Sequence, residues 1–282
     1  MITGSAKIAG VIGWPIKHSM SPILHNFWLR HHKIDGTYIP MAVEPKNLEG
    51  AIHALPLLGF QGVNITVPHK ETALKAVDKI EPPADRIGAI NTLNIDVSGK
   101  IIGSNTDGFG FLQNVYQNIP HWNFDGKIVT LIGAGGAARA ILFALLESNV
   151  DEVRLINRTH KRAVELAEQA ANQSIKVIKW HNIDNAIENS NLLVNTTVLG
   201  MKGQPSLILP LDRLAPGAIV NDIVYSPLKT PLLGQAMKMG IPTIDGIGML
   251  LHQACPGFQS WFGVIPSVTK DLKAYVSSKI SK

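Results

Sequence analysis

The stretch KIVTLIGAGGAARAILFALLES constrains this chain more than any other. A short β-branched run ends in a glycine cluster, and a segment rich in alanine and leucine follows directly. The stretch therefore reads as strand, tight turn and helix. Gly133, Gly135 and Ala138 fit the spacing G-x-G-x-x-G/A. At such a junction the first glycine permits the turn and the second lets backbone approach a pyrophosphate. The small third residue lets the helix pack closely on the strand. The helix start then presents free N–H groups and a positive dipole end to an anion. Gly133, Ala134, Gly135, Gly136 and Ala137 are candidate cofactor contacts. A tight turn with no ligand would satisfy the same glycines, but the strand and helix on either side favour a dinucleotide.

The next strand-like run, EVRLIN, selects between dinucleotides. An NAD site places Asp or Glu at the end of this strand to accept bonds from the ribose hydroxyls. Here the run continues Asn157-Arg158-Thr159-His160-Lys161-Arg162 with no acid at that place. A carboxylate would repel a 2′-phosphate, whereas guanidinium groups bind it with charge-assisted bonds. These six residues are candidate contacts for NADP, the expected cofactor. A solvated basic turn leading into a helix is the simpler alternative.

Short apolar runs alternate with helical patterns along most of the chain, which predicts an α/β fold with largely parallel sheets. In the first part IAGVIG, TYIPMAV, GVNITV and INTLNID read as strands. PILHNFWLRHH, PKNLEGAIHAL, HKETALKAV and FGFLQNVYQN read as helices. In the second part KIVTLIG, EVRLIN, IKVIKW, NLLVNTT and AIVNDIV supply strands, and the chain from about Gly246 is mainly helical. Two domains are expected: residues 108–246 as a dinucleotide domain, and residues 1–107 joined by 247–282 as the other.

Composition removes several function classes. The net charge is +5, but the basic side chains form no long run, which argues against a nucleic-acid groove. Cys255 is the only cysteine, so neither an intrachain disulfide nor a cysteine-based zinc site can be assembled. The histidines lack the spacing of a hydrolytic zinc helix, and no metal is expected. No apolar run reaches the ~18 residues of a membrane span, and the N-terminal segment reads as no signal peptide. The expectation is a reduced, cytoplasmic protein.

Nine segments then carry a resemblance. VIGWPIKHSMSPILHN, GVNITVPHKE, GAINTL, SNTDGFG, GAGGAARA, NRTHKRA, VNTTVLGM, NDIVYSP and DGIGMLLHQA occur in the order seen in shikimate dehydrogenases, from residue 11 to residue 254. The set is highly specific as a whole, although several members would mean little alone. Membership of that family implies an N-terminal α/β substrate domain, a Rossmann-like NADP domain, C-terminal helices that pack back on the first domain, and an active site in the cleft between them. It implies NADPH-dependent reduction of 3-dehydroshikimate to shikimate, a step toward aromatic amino acids. The protein would act as a monomer or homodimer on a small molecule, with no nucleic-acid or membrane partner.

The resemblance also assigns residues. Ser19 and Ser21 match serines that bind the shikimate carboxylate; Ser21 before Pro22 also reads as a helix N-cap. Thr66 and Asn91 match residues that bind ring hydroxyls, and Tyr225 and Gln253 match further substrate contacts. Lys70 matches the catalytic lysine and Asp107 its partner. Lys70 reads as lying in the first turn of a helix, where the dipole disfavours a cation, so a functional reason for it is plausible. Asp107 alone would be explained as an N-cap. Thr196 follows a buried-type strand, at the edge where open α/β sheets bind cofactors, and Ile223 and Gly246 complete the cofactor set. Lys70 could donate the proton itself, or act as a fixed charge while water delivers it.

Two features depart from the family pattern. Pro256-Gly257 interrupts a helical segment, predicting a kink or restart, and Pro82-Pro83 replaces a stretch usually richer in polar residues. Two rival readings stand beside the main one. One is a quinate/shikimate dehydrogenase, which would often prefer NAD and carry an acid after the second strand of the dinucleotide domain. The other is a non-catalytic NADP sensor, in which Lys70 and Asp107 would be expendable.

Overall fold

A computed structural model describes residues 2–280 and divides the chain into two compact units. The first comprises Met1–Gly110 and Leu250–Val276, the second Phe111–Met249 and Ser277–Lys282.

The first unit carries β1 (Lys7–Gly13), α1 (Ser21–His31), β2 (Gly36–Ala42), α2 (Leu48–Ala54), β3 (Phe60–Ile65), β4 (Lys79–Ile80), α3 (Ala84–Ile87), β5 (Thr92–Ile95) and β6 (Ile101–Ser104). Helix α4 (Asp107–Asn118) follows. The sheet order is β2-β1-β3-β5-β6-β4. The β1 pairings to β2 and β3 are parallel, but β5 runs antiparallel to both β3 and β6. With β4 and β6 also parallel, the sheet is parallel-rich, as expected, with β5 its one antiparallel strand. Strand β1 is buried from Ala9 onward, as expected of a strand covered on both faces. One face packs Ile12, Val63, Ile65 and Leu93 against Leu48 and Ile52 of α2.

The second unit carries β7 (Ile128–Ile132), α5 (Gly136–Glu147), β8 (Glu152–Ile156), α6 (His160–Ala170), β9 (Ile175–Ile178), α7 (Ile183–Ala186), β10 (Leu192–Asn195), β11 (Ile219–Asp222), α8 (Pro231–Lys238) and β12 (Thr243–Ile244). Its six strands are all parallel, in the order β12-β11-β10-β7-β8-β9. That is the doubly wound Rossmann order, with the topological switch between β7 and β10.

The chain ends with α9 (Gly246–Phe262) and α10 (Lys270–Ile280). Helix α9 runs unbroken through Pro256 and does not restart there. From Leu250 it belongs to the first unit, where Trp261 donates its indole N–H to the Leu93 carbonyl at 3.1 Å. Gly62 makes this approach possible. A Cβ there would stand 2.2 Å from the Trp261 indole nitrogen and 2.1 Å from the Leu93 oxygen. This contact fixes the helix that carries Gln253.

Strands β4, β6 and β12 are absent from the sequence reading. They have two to four residues each, too few to establish a period. HKETALKAV also differs from its expected helix, forming only a 3-10 segment at Thr72–Ala76. Lys70 sits in the turn before it, so the helix-dipole argument for that lysine does not apply.

Candidate active site

Four residues named from sequence converge in the first unit. Lys70 leaves the turn after β3, Asn91 immediately precedes β5, Asp107 opens α4, and Gln253 lies on α9. Lys70 Nζ pairs with Asp107 Oδ2, with side chains only 17% and 5% exposed. The other carboxylate oxygen, Oδ1, accepts from Asn91 Nδ2 at 2.8 Å. Asn91 Nδ2 also reaches Gln253 Oε1 at 3.3 Å and Thr106 Oγ1 at 3.0 Å. A buried ion pair repays its desolvation only when hydrogen bonds satisfy the remaining lone pairs, and here Asn91 performs that task.

Asp107 is not an N-cap. It is the first helical residue, and its own N–H is held by Asn105 Oδ1 at 2.9 Å. The carboxylate is thus free of local duty and can serve Lys70. Asn105 anchors the loop further by donating to the Ala89 carbonyl at 2.9 Å. Thr106 donates to the Gln253 carbonyl at 2.7 Å, and its N–H donates to Asn91 Oδ1 at 3.0 Å. Asn105 and Thr106 were missed as site-builders, although both stand in the same SNTDGFG segment as Asp107.

The serine pair sits at the start of α1. The N-cap position is Met20, without a side-chain bond, and Ser21 is already helical. The capping bond comes instead from Ser19, whose Oγ accepts the Ser21 N–H at 3.3 Å. Ser21 is buried, and so is Tyr38 of β2. Tyr38 donates to Asn64 Oδ1 at 2.6 Å, and Asn64 Nδ2 donates to the Asn91 carbonyl at 3.1 Å. A buried polar chain therefore runs from Tyr38 to Asn91. Thr66 follows β3 directly, its N–H bonded to the Ile12 carbonyl at 2.9 Å. His25 stacks on Tyr38 with ring centroids 4.0 Å apart, and complete burial pushes its pKa down to about 3.

In the second unit Gly133 follows β7 with φ of +122°, a conformation open to glycine and strained for other residues. A Cβ there would lie 2.2 Å from Thr196 Oγ1. That hydroxyl donates to the Ile132 carbonyl at 2.7 Å, which ties the turn after β7 to the end of β10. Gly135 is the N-cap of α5, and a Cβ on it would meet nothing within 4 Å. The space in front of the helix start is open, as approach by a phosphate requires. Ala138 is fully buried, which fits its close-packing role.

Asn157, Arg158 and Thr159 form the turn after β8, and His160, Lys161 and Arg162 begin α6. Asn157 Nδ2 closes the turn on the Thr159 carbonyl at 2.9 Å, leaving Arg158 exposed at its tip. Ile223 and Tyr225 follow β11, and burial pushes the Tyr225 phenol up. Gly246 packs so closely that a Cβ would fall 2.1 Å from the Ile223 oxygen. These features fit NADP: an open glycine turn at a helix start, a guanidinium past β8 and no acid from 157 to 162.

A doubly wound dinucleotide unit, in a chain that also buries a lysine–aspartate pair, defines the class of α/β dehydrogenases with a separate substrate unit. Comparison with known proteins narrows the class. Residues 11–93 match the family model of the shikimate dehydrogenase substrate binding domain, and residues 115–201 match that of shikimate/quinate 5-dehydrogenase. A protein of Rhodospirillum rubrum named shikimate dehydrogenase (NADP(+)) is 52% identical, covering 99% of this chain and 100% of its own. A shikimate dehydrogenase crystallised with NADP+ superposes with a TM-score of 0.89 at 34% identity, covering 100% of this chain and 98% of its own. The Thermus thermophilus shikimate 5-dehydrogenase, in complex with NADP(H) and shikimate, gives 0.83 at 32% identity and covers 98% of each chain. The chain belongs to the shikimate dehydrogenase family.

Proposed function

We propose that this chain reduces the ketone of 3-dehydroshikimate to the alcohol of shikimate, reversibly and at the expense of NADPH. The observation that carries the reading is the Lys70–Asp107 pair, buried and tied through Asn91 to Gln253. The cofactor supplies the hydride. Gly133 to Ala137 and the start of α5 hold its pyrophosphate, Arg158 and its neighbours through Arg162 its 2′-phosphate, and Thr196, Ile223 and Gly246 the remainder.

Lys70 donates the proton to the carbonyl oxygen as charge develops there, and Asp107 keeps the ammonium aimed. Asp107 and Asn91, already bonded to each other, align the ring through its hydroxyls together with Thr66. Ser19 and Ser21 receive the carboxylate at the start of α1, where the helix dipole favours an anion. Tyr225 and Gln253 complete the substrate contacts. In the reverse direction Lys70 takes the proton back. The protein acts in the cytoplasm, as a monomer or homodimer, on a small molecule and with no nucleic-acid or membrane partner. No helix among the described residues is long and apolar enough to cross a membrane.

Initial rates with shikimate and with quinate, each offered NADP and NAD, test the reading. Turnover concentrated in the shikimate–NADP pair supports it. Preference for quinate or NAD would replace it with the quinate/shikimate alternative, and no turnover with any pair would refute it.

A further inference from the structure

Asp222 is a buried carboxylate to which the mechanism above gives no part. It ends β11 with no exposed surface. Its Oδ1 accepts from Asn195 Nδ2 at 3.0 Å and from the Val224 N–H at 3.1 Å; Oδ2 accepts from Thr230 Oγ1 at 2.7 Å. All of these donors are neutral. Removing a carboxylate from water against neutral donors is costly, so such a residue is a poor choice for stability alone.

The donors show what the cost secures. Val224 lies between Ile223 and Tyr225, while Thr230 is the N-cap of α8 and also accepts the Leu233 N–H at 3.3 Å. One carboxylate therefore ties down the segment from Val224 to Thr230 at both ends. Asn195 extends the tie to β10, where its Oδ1 accepts from the Thr197 N–H at 3.1 Å and its Nδ2 donates to the Leu199 carbonyl at 3.0 Å. Thr196, between them, braces the Gly133 turn. These strand ends form the carboxyl edge where a doubly wound sheet holds its cofactor.

We propose that Asp222 is a positioning residue for hydride transfer: by clamping Val224, Thr230 and Asn195 it holds Ile223 and Tyr225 in the geometry that the nicotinamide and substrate require. This rests on the dehydrogenase reading above. An amide does not reproduce the clamp: with its oxygen toward Asn195 and Val224 its NH2 faces Thr230, whose hydroxyl must then turn from donor to acceptor and lose its own acceptor.

The test measures kcat and the affinities for NADP and for 2′,5′-ADP, which lacks the nicotinamide, in the full-length protein. In Asp222→Asn, kcat and NADP affinity fall ~10-fold or more, the scale on which small misplacements are felt, while 2′,5′-ADP binding stays within about twofold. Thr230→Val shows the same split to a lesser degree, and Thr230→Ser, which keeps the hydroxyl, restores the parent values. Parental kcat and NADP affinity in Asp222→Asn would overturn the proposal, as would equal losses for NADP and 2′,5′-ADP. If that variant does not fold, identical behaviour of Thr230→Val and Thr230→Ser would overturn it. A parent without turnover would refute the dehydrogenase reading, and the binding split would still decide the role of Asp222.

Discussion

Replacing Gly133 with alanine sets two costs on one residue, and both can be read from the structure. The backbone there has φ of +122°, where a side chain is strained; such strain costs about 1–3 kcal/mol. The new Cβ would also stand 2.2 Å from Thr196 Oγ1, so Thr196 must turn away and give up its bond to the Ile132 carbonyl. A typical intramolecular hydrogen bond contributes about 0.5–1.5 kcal/mol. Together the expected destabilisation is about 1.5–4.5 kcal/mol. Denaturant unfolding of Gly133→Ala, Thr196→Ala and the double variant measures it. Because Thr196→Ala removes the obstructing oxygen, the double variant should lose less than the sum of the singles. NADP affinity should fall in Gly133→Ala as the turn shifts. A Gly133→Ala protein with parental stability, or strictly additive losses, would refute the close contact between these two strand ends.

Arg158→Ala should weaken NADP binding by about 1.5–3 kcal/mol, the value of a bond to a charged group, with NAD affinity little changed; equal losses in titrations of both cofactors would remove Arg158 from the 2′-phosphate. Ser19→Ala should raise KM for shikimate without changing NADP affinity, and should cost about 1 kcal/mol of stability, because Ser19 supplies the capping bond of α1; an unchanged KM would place the carboxylate elsewhere. His25 is held neutral in the folded protein, so below pH ~6.5 the unfolded chain takes up a proton that the folded chain refuses. Stability should therefore fall as pH drops from the unfolded pKa toward about 3, and be flat in this respect above it. Between pH ~6.5 and ~5 the parent should lose about 1.6 kcal/mol more than His25→Phe, which keeps the stack on Tyr38. Identical pH profiles would refute a neutral buried histidine.

The dinucleotide turn was legible because its chemistry is local. A glycine that must hold a positive φ, a second that must leave space and a small residue that must pack all fall within six positions. The absence of an acid after β8 is equally local. The Lys70 environment was legible only through the family resemblance. Its helical reading failed because HKETALKAV folds through a turn into a 3-10 segment instead of an α-helix. The roles of Ser19 and Ser21 exchanged for a related reason: a cap depends on which residue first takes helical dihedrals, and one position decides it. The antiparallel β5–β6 pair had a turn signal in Asp96, whose Oδ1 accepts from the Ser98 N–H at 2.8 Å and the Lys100 N–H at 3.0 Å. That signal went unread because β6 is so short. Asp222, Asn195 and Thr230 lie too far apart in sequence for any pattern to join them.

If Lys70 and Asp107 act as one proton-transfer unit, the decisive measurement is kcat of Lys70→Met for 3-dehydroshikimate reduction at saturating NADPH. The substitution keeps most of the aliphatic stem and removes the charge and the proton. A positioned acid–base group contributes ~10²–10⁴-fold, so kcat should fall by that order while NADP affinity holds. Asp107→Asn should also be slow, and the double variant little slower than the slower single, since groups acting together are not additive. A near-parental kcat in Lys70→Met, or single losses that simply multiply, would contradict the paired role.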